Sequence, residues 1–461
     1  MSNICFYSIA GLNYKHQYSS CCPIQSDRLS KFTDTIIPSE IFNSKEFKKN
    51  RLDLLNGYWP KGCDLCKEIE KTDNGHSMRQ DFPFDKNRFK NETMNPSCYE
   101  YFDKNTGNVN RKGLRHVELK FSNACNMSCL HCSHVYSSGW SKRLNNYEPD
   151  DEVVQYDLKQ LLKTVHIDDE QNVKLGLSLD ETKNICDDLN INFPNIQRID
   201  ITGGEVLTQK QFFLALKLLS KHPNIKNLKI SFYSNFNVET NYVELSNLLK
   251  KFGHSTITIS IDAGKNIYSY FRDGNWKTLI ENIKKFKEVN NFTQLDCVVT
   301  FSAYQLLDIK NIYNSLFDLD FNTIKTSIVQ TPSYINPSIL MTDFKNDLRK
   351  DFDSVIKTIH IEHQKRVKDI KNSKNLNSYN PTKCSSIFLK DAENFIFTDL
   401  KSTLWYLKNI EKYIFNHSTP YRDFNRFLIY IKKTDEIWNQ NFNDFFTQFK
   451  ITNGELIRQY E

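Results

Sequence analysis

The chain has 461 residues, 39% hydrophobic, 25% charged and 13% aromatic, with a formal net charge of +6, which allows about two to four domains around a substantial core. No apolar run approaches the roughly 18–20 residues of a membrane span. The opening "MSNICFYSIAGLNYKHQ" lacks a basic n-region followed by an apolar h-region, so no secretory signal is expected and the cytoplasm is the expected compartment. Basic runs such as "KEFKKNR" (45–51) read as solvated helix faces, and without a groove-reading motif nucleic acid is not an expected partner.

Residues 1–95 read as irregular, with one amphipathic stretch at "SEIFNSKEFKKNRLDLLNG" that Gly57 would cap. Residues 102–112, "FDKNTGNVNRK", read as a polar linker. From about 114 strands and helices alternate. "HVELKFS" (116–122) is the first strand, and Ser178 with Glu181 forms a capping box opening a helix through Ile185 and Leu189. "IQRIDIT" (196–202), "LKISFYS" (228–234), "STITISID" (255–262), "TQLDCVVTF" (293–301) and "NTIKTSIVQ" (322–330) follow as strands. Helical stretches at 209–222 and near 240–251, 275–288 and 304–316 separate them, the pattern of a parallel α/β sheet, barrel-like or doubly wound. Beyond about 335 the strand rhythm stops, and 344–371, 400–415 and 436–450 carry helical spacing.

Reduced thiols are the cytosolic norm, so the twelve cysteines point to metal or redox chemistry rather than disulfides. Eight of them fall into two groups, and Cys98, Cys186, Cys297 and Cys384 stand alone. Cys125, Cys129 and Cys132 form C-x3-C-x2-C after the first strand of the α/β region, at the end where parallel sheets place ligands. Three thiolates can hold three corners of a 4Fe–4S cluster and leave one iron open to a non-protein ligand. A zinc knuckle completed by His131 or His134 uses the same cysteines. The second group is Cys5, Cys21, Cys22, Cys63 and Cys66, where a C-x2-C pair and two distant thiols suffice for a closed four-cysteine zinc or iron–sulfur site.

The trio resembles the signature of the radical S-adenosylmethionine (SAM) superfamily, with His131 where the family often has another aromatic residue. Further stretches fit in order. "TGGE" (202–205) resembles the motif that meets the methionine ammonium of SAM: glycines allow close backbone approach and a carboxylate pairs with an ammonium. "YSN" (233–235) and "SID" (260–262) end the next two strands, and "YFRDGNW" from 270 is similar to a scaffold segment of the superfamily. Zinc explains none of these.

The resemblance implies a partial (β/α)6 TIM-like barrel over 113–332, with the Cys125–Cys129–Cys132 cluster chelated by SAM. It implies reductive cleavage of SAM to a 5′-deoxyadenosyl radical that abstracts a hydrogen atom from substrate. Gly203, Gly204 and Glu205 are assigned to SAM's methionine end, and Ser234, Asn235, Ser260 and Asp262 to methionine or ribose. An electron donor such as flavodoxin or ferredoxin is implied. Residues 1–95 resemble a twitch or SPASM auxiliary-cluster module placed before the core, implying a second 4Fe–4S cluster on Cys5, Cys22 (or Cys21), Cys63 and Cys66. Residues 333–461 form a helical extension matching no named module.

Cys186 reads as a core residue, whereas an inward-facing Cys297 in the fifth of these strands is a speculative hydrogen donor. Twitch and SPASM relatives often modify peptides, so a peptide or amino-acid-derived substrate is expected. A sugar, nucleotide or cofactor precursor is the alternative, and a non-catalytic metal-binding interaction protein is the reading from another class.

Overall fold

The computed structural model describes residues 5, 8, 10–14, 18–19, 36–60, 62–70, 100–132, 136–145, 176–329, 333–341, 344–372, 403–404, 407–408, 410–415, 421–446, 448–452 and 454–459. Its elements are, in order, β1 (Gly11–Tyr14), β2 (Tyr18–Ser19), α1 (Pro38–Ile41), α2 (Lys45–Leu55), α3 (Asp64–Glu70), β3 (His116–Lys120), α4 (Ser138–Asn145) and α5 (Leu179–Asn192). Then come β4 (Arg198–Thr202), α6 (Lys210–Leu219), β5 (Lys229–Ser234), α7 (Tyr242–Leu249), β6 (His254–Ser260), α8 (Tyr268–Arg272) and α9 (Trp276–Val289). The remainder is β7 (Gln294–Phe301), α10 (Ala303–Leu307), α11 (Ile309–Phe317), β8 (Ile324–Ile328), α12 (Lys345–Asn372), α13 (Tyr421–Trp438), α14 (Phe442–Phe445), β9 (Phe449–Thr452) and β10 (Glu455–Arg458). Two compact units emerge: Met1–Asn123 with His166–Phe232 and Glu244–Ser255, and Ala124–Val165 with Tyr233–Val243 and Thr256–Glu461.

In the first unit β1, β3, β4 and β5 pair in parallel, with Gly11 opposite His116, His116 opposite Arg198 and Arg198 opposite Lys229. In the second, β6, β7 and β8 pair in parallel, with Thr256 opposite Gln294 and Cys297 opposite Ile324. The fold is therefore α/β on parallel strands, the strand succession that a TIM-like barrel requires. All six strands expected between 116 and 330 form.

These strands alternate rather than reading as the continuous apolar runs of parallel strands buried alike on both faces. Val117, Leu119, Ile199, Ile201, Ile230 and Phe232 are fully buried on one face, each worth about 1.5–3 kcal/mol. The other face is charged. His116 Nε2 lies 2.8 Å from Asp200 Oδ2, Arg198 Nε donates to Asp200 Oδ1 at 2.9 Å, and the Thr202 hydroxyl donates to Glu118 at 3.2 Å. Burial works against the Asp200 carboxylate, but Arg198 and His116 hold its pKa well below the usual range. In the second unit Ile257, Ile259, Cys297 and Val299 occupy the apolar face, while Lys325 Nζ lies 2.7 Å from Asp296 on the other.

The capping box at Ser178 forms with both bonds: the Ser178 amide donates to Glu181 at 2.7 Å and the Glu181 amide to Ser178 Oγ at 3.1 Å. The expected single helix before Gly57 is broken into α1 and α2 by a new N-cap, Ser44, whose hydroxyl accepts from the Phe47 amide. Gly57 follows with φ 84°, a left-handed value that favours glycine.

Three expectations are corrected. Residues 102–112 are folded, not a linker: Phe102 bridges Val109, Asn43 exchanges hydrogen bonds with Val109, and Phe102 and Val109 are buried. Nor is the N-terminal segment wholly irregular, since β1 joins β3 in the first unit. The fully buried Arg51 binds it in place, donating from Nε to the Ser8 carbonyl at 2.7 Å, from Nη2 to the Phe42 carbonyl at 2.6 Å and from Nη1 to Asn43 at 2.9 Å. Finally, 436–450 is not one helix: α13 stops at Trp438, and the chain forms α14 and enters the antiparallel β9–β10 pair, turned at Gly454 with φ 79°.

Asp308, between α10 and α11, provides a pH test. It is 8% exposed, accepts from Asn311 Nδ2 at 2.7 Å, and burial pushes its pKa up to about 7. A raised carboxyl pKa leaves stability full below the unfolded value and lost as pH rises through about 7. The expected outcome for Asp308→Asn is a melting temperature that falls less between pH 5 and 8, with a gain on the order of 3 kcal/mol at pH 8. Parallel wild-type and variant pH profiles would discount Asp308 as the group responsible.

Candidate metal centre

The three central cysteines lie in the loop that leaves β3, all within the second unit. Cys129 is 7% exposed, and Cys125 and Cys132 are half-buried. Backbone bonds shape the loop: the Cys132 amide donates to the Cys129 carbonyl and the Leu130 amide to the Phe271 carbonyl, each at 2.9 Å. Met127 and Leu130 anchor it through buried side chains. Helix α4 grips it from the chain that follows. Ser138 Oγ accepts from the Cys125 amide at 3.1 Å, Ser137 Oγ donates to the Met127 carbonyl at 2.6 Å, and Trp140 Nε1 donates to the Cys129 carbonyl at 2.8 Å.

The electrostatics are those of clustered anions. Burial raises the Cys129 pKa, and the charges of Cys132 and Cys125 raise it further. Arg272 supplies the opposing charge. Its guanidinium is 5% exposed and paired through Nη1 to Asp262 Oδ2, while the Cys129 thiol lies 3.5 Å from its carbonyl. Burial works against the Arg272 charge, yet Cys129, Asp262 and Cys125 hold its pKa above the ordinary value. His131 stacks on Phe271 at 5.1 Å and directs Nε2 toward Asp262 Oδ2 at 3.6 Å. Burial lowers its pKa, with Asp262 opposing.

The donor set suits an iron–sulfur cluster. Cys129 interacts electrostatically with Cys125, Cys132 and the buried Arg272, whose side chain also neighbours the Tyr268 hydroxyl, and Arg272 Nε and His131 Nδ1 are buried nitrogens that make no close hydrogen bond among the described residues. Bound thiolates and sulfides would satisfy such donors. Among the described residues no three or more His, Cys, Asp or Glu side chains converge for a single metal ion. His134, the other candidate zinc ligand, lies outside the described residues.

The remaining predicted residues fall as follows. Asn235 joins the cysteine loop: Nδ2 donates to Asn126 Oδ1 at 2.9 Å and lies 4.0 Å from Cys125 Sγ, and Oδ1 accepts from the Asn237 amide at 2.8 Å. Ser234 Oγ accepts from the Phe236 amide at 2.9 Å. Ser260 is half-buried at the end of β6. Asp262 is 1% exposed with φ 50°; Oδ1 accepts from the Thr300 amide at 2.6 Å, and Gln305 Nε2 donates to its carbonyl at 2.8 Å. Cys297 is fully buried on the apolar face of β7, opposite Ile259 and within electrostatic reach of Tyr313 on α11.

Gly203, Gly204 and Glu205 belong to the first unit. Both glycines have positive φ, 95° and 53°. A Cβ on Gly203 would meet Lys120 Cγ at 2.3 Å, so both conformation and space demand glycine there. Glu205 is fully buried and accepts from the Leu207 amide at 2.9 Å. Of the N-terminal cysteines, Cys5 is buried and Cys63 and Cys66 are half-buried, the latter pair at the start of α3. Cys21 and Cys22 lie outside the described residues.

Sequence reasoning missed two contributions. The first is the charged strand face of His116, Glu118, Asp200 and Asp296, which polar–apolar alternation in parallel strands could have exposed. The second is α13, for which the sequence offers no signal. Tyr430 donates to the Leu130 carbonyl at 2.5 Å, Trp438 meets Trp140 edge-on at 4.7 Å, and Arg143 lies 5.4 Å over the Trp438 ring. Burial raises the Tyr430 pKa, and the charge of Cys132 adds to it.

A cysteine loop at the end of a parallel strand, with buried charge around it, is a donor set of the kind that metal clusters use. More narrowly, residues 119–302 match the family model described as the Radical SAM superfamily. No curated protein matches the chain. Among solved structures, Streptococcus suis SuiB bound to the precursor peptide SuiA is 13% identical, with 46% of this chain and 38% of SuiB covered and a TM-score of 0.28. The structure of anSMEcpe with bound AdoMet and Cp18Cys peptide is 18% identical, with 56% and 61% covered and a TM-score of 0.31. The structure of TYW1 with a lysine-pyruvate adduct is 14% identical, with 64% and 87% covered and a TM-score of 0.29. The chain thus spans less than two thirds of SuiB and anSMEcpe.

Tyr430→Phe tests the grip of α13. Removing the phenol leaves the Leu130 carbonyl without this donor, so a loss of about 1–2 kcal/mol in unfolding free energy is expected from denaturant titration. An unchanged midpoint would show that this bond contributes nothing to the loop.

Proposed function

We propose that the protein is a radical SAM enzyme whose catalytic cluster is held by Cys125, Cys129 and Cys132. The observation that carries this reading is the superfamily match over 119–302, which contains the cysteine loop and its buried Arg272. A reduced 4Fe–4S cluster bound there supplies the electron that cleaves SAM to methionine and a 5′-deoxyadenosyl radical, which abstracts a hydrogen atom from substrate.

The chain's own residues are assigned around that chemistry. Gly203 and Gly204 present backbone, and the Glu205 carboxylate pairs with the methionine ammonium of SAM. Ser234, Asn235, Ser260 and Asp262 serve the methionine or ribose groups. Support for Asn235 comes from its bonds to the cysteine loop, which hold Asn126 beside Cys125. Burial of Asp262 among protein partners supports a role in fixing Arg272 and the Thr300 amide as much as one at ribose. The full burial of Cys297 favours packing over hydrogen donation.

A second 4Fe–4S cluster on Cys5, Cys22 or Cys21, Cys63 and Cys66 completes the proposal, with a flavodoxin- or ferredoxin-type electron donor. The resemblance of the N-terminal segment to twitch and SPASM modules favours a peptide or amino-acid-derived substrate.

Anaerobic reconstitution followed by iron, sulfide and zinc analysis tests this. About eight irons per chain are expected from two cubanes. Four would remove the auxiliary cluster, and zinc without iron would sink the scheme. On reduction with dithionite in the presence of SAM, 5′-deoxyadenosine is expected, and its formation should disappear in Cys129→Ala.

A further inference from the structure

Behind the cysteine loop sits a buried ionic strut, Arg272 with Asp262, to which the proposed chemistry assigns no redox role. Arg272 ends α8, and the chain then turns through Asp273 in a left-handed conformation with φ 56°. Its guanidinium is held by Asp262, itself fixed at Oδ1 by the Thr300 amide at 2.6 Å and at its carbonyl by Gln305 at 2.8 Å. Asp262 also has a left-handed backbone, φ 50°, so both halves of the pair are set by the main chain. His131 approaches the same Asp262 oxygen at 3.6 Å. Neighbouring Asp273 ties the strut to the loop: it accepts from Ser128 Oγ and, at 2.7 Å, from Arg143 Nη2.

A buried ion pair is a weak source of stability, because desolvation offsets its attraction. Here it leaves one donor over. Arg272 Nε is buried and makes no close hydrogen bond among the described residues, the Tyr268 hydroxyl being the other polar neighbour of a side chain that is 6% exposed. A poorly matched buried donor is destabilising unless a ligand satisfies it. The potential of an iron–sulfur cluster depends on net charge, burial and hydrogen bonds to its sulfurs. A fixed cation beside the thiolates stabilises the reduced, more negative state.

We propose that Arg272 is a positioning residue for charge: held by Asp262, it raises the reduction potential of the cluster at Cys125, Cys129 and Cys132. The inference rests on the cluster assignment above. Its sign is opposite for the two members of the pair. Removing the Arg272 charge lowers the potential, and removing the Asp262 charge, which partly cancels Arg272, raises it.

The test is a redox titration of the reconstituted full chain, following the reduced cluster by electron paramagnetic resonance without substrate. Cys63→Ala/Cys66→Ala serves as the background, so that an auxiliary centre does not contribute. For Arg272→Gln the oxidised-to-reduced ratio at fixed potential should rise at least tenfold, a shift of about 59 mV downward for one electron. Asp262→Asn should shift upward, and Arg272→Lys, which keeps the charge, should stay within threefold of the background protein. An unmoved or upward potential in iron-loaded Arg272→Gln overturns the inference, as do shifts of one sign in both variants. If Arg272→Gln fails to load, Asp262→Asn decides by its direction; failure of both to load makes the pair structural and also overturns it. Absence of iron in the wild-type chain would instead refute the cluster assignment itself.

Discussion

A buried thiolate is unstable without a compensating cation or metal, and Cys129 imposes that requirement on everything around it. Burial favours its protonated form, so a metal bound there would have to displace a proton and bring positive charge in its place. The loop is rigid before that happens. Carbonyls of Met127, Cys129 and Leu130 are taken by Ser137, Trp140 and Tyr430. The backbone therefore does not have to search for a geometry when the ligands bind, and the ordering entropy has been met by packing.

The parallel strands add a second constraint. Their apolar faces carry the cohesive burial, which leaves the alternate positions free for charge. His116, Asp200 and Arg198 use that freedom in one unit, and Asp296 with Lys325 in the other. Such a face is expensive to desolvate and is retained only where each charge has a partner. Apolar burial and paired charge are thus separated residue by residue along a strand.

Much of this was legible in the sequence. Period-two alternation located all six strands from His116 to Ile328, and Ser178 with Glu181 announced the start of α5 through hydrogen bonds local to one turn. Spacing found the cysteine loop, and the glycine pair at 203–204 signalled a backbone that other residues would strain. What escaped depends on partners far away in sequence. Residues 102–112 look like a linker because their polar side chains face outward, while Phe102 and Val109 pack inward and Asn43 satisfies the backbone. Gly11–Tyr14 becomes a strand because β3 offers it an edge. Asp262 is assigned from sequence to methionine or ribose, and nothing local to it announces that Thr300, Gln305 and Arg272 enclose it. No local pattern encodes such neighbours.

The bond from Tyr430 to Leu130 spans 300 positions. At about 5–20 residues per second, translation needs about 15–60 s to deliver the tyrosine after the leucine. Throughout that interval the segment with Cys125, Cys129 and Cys132 exists without its α13 support, its thiols available to oxygen and to chaperones alike. Full support of the cysteine loop is therefore a late event in the synthesis of the chain, timed by its distal helix.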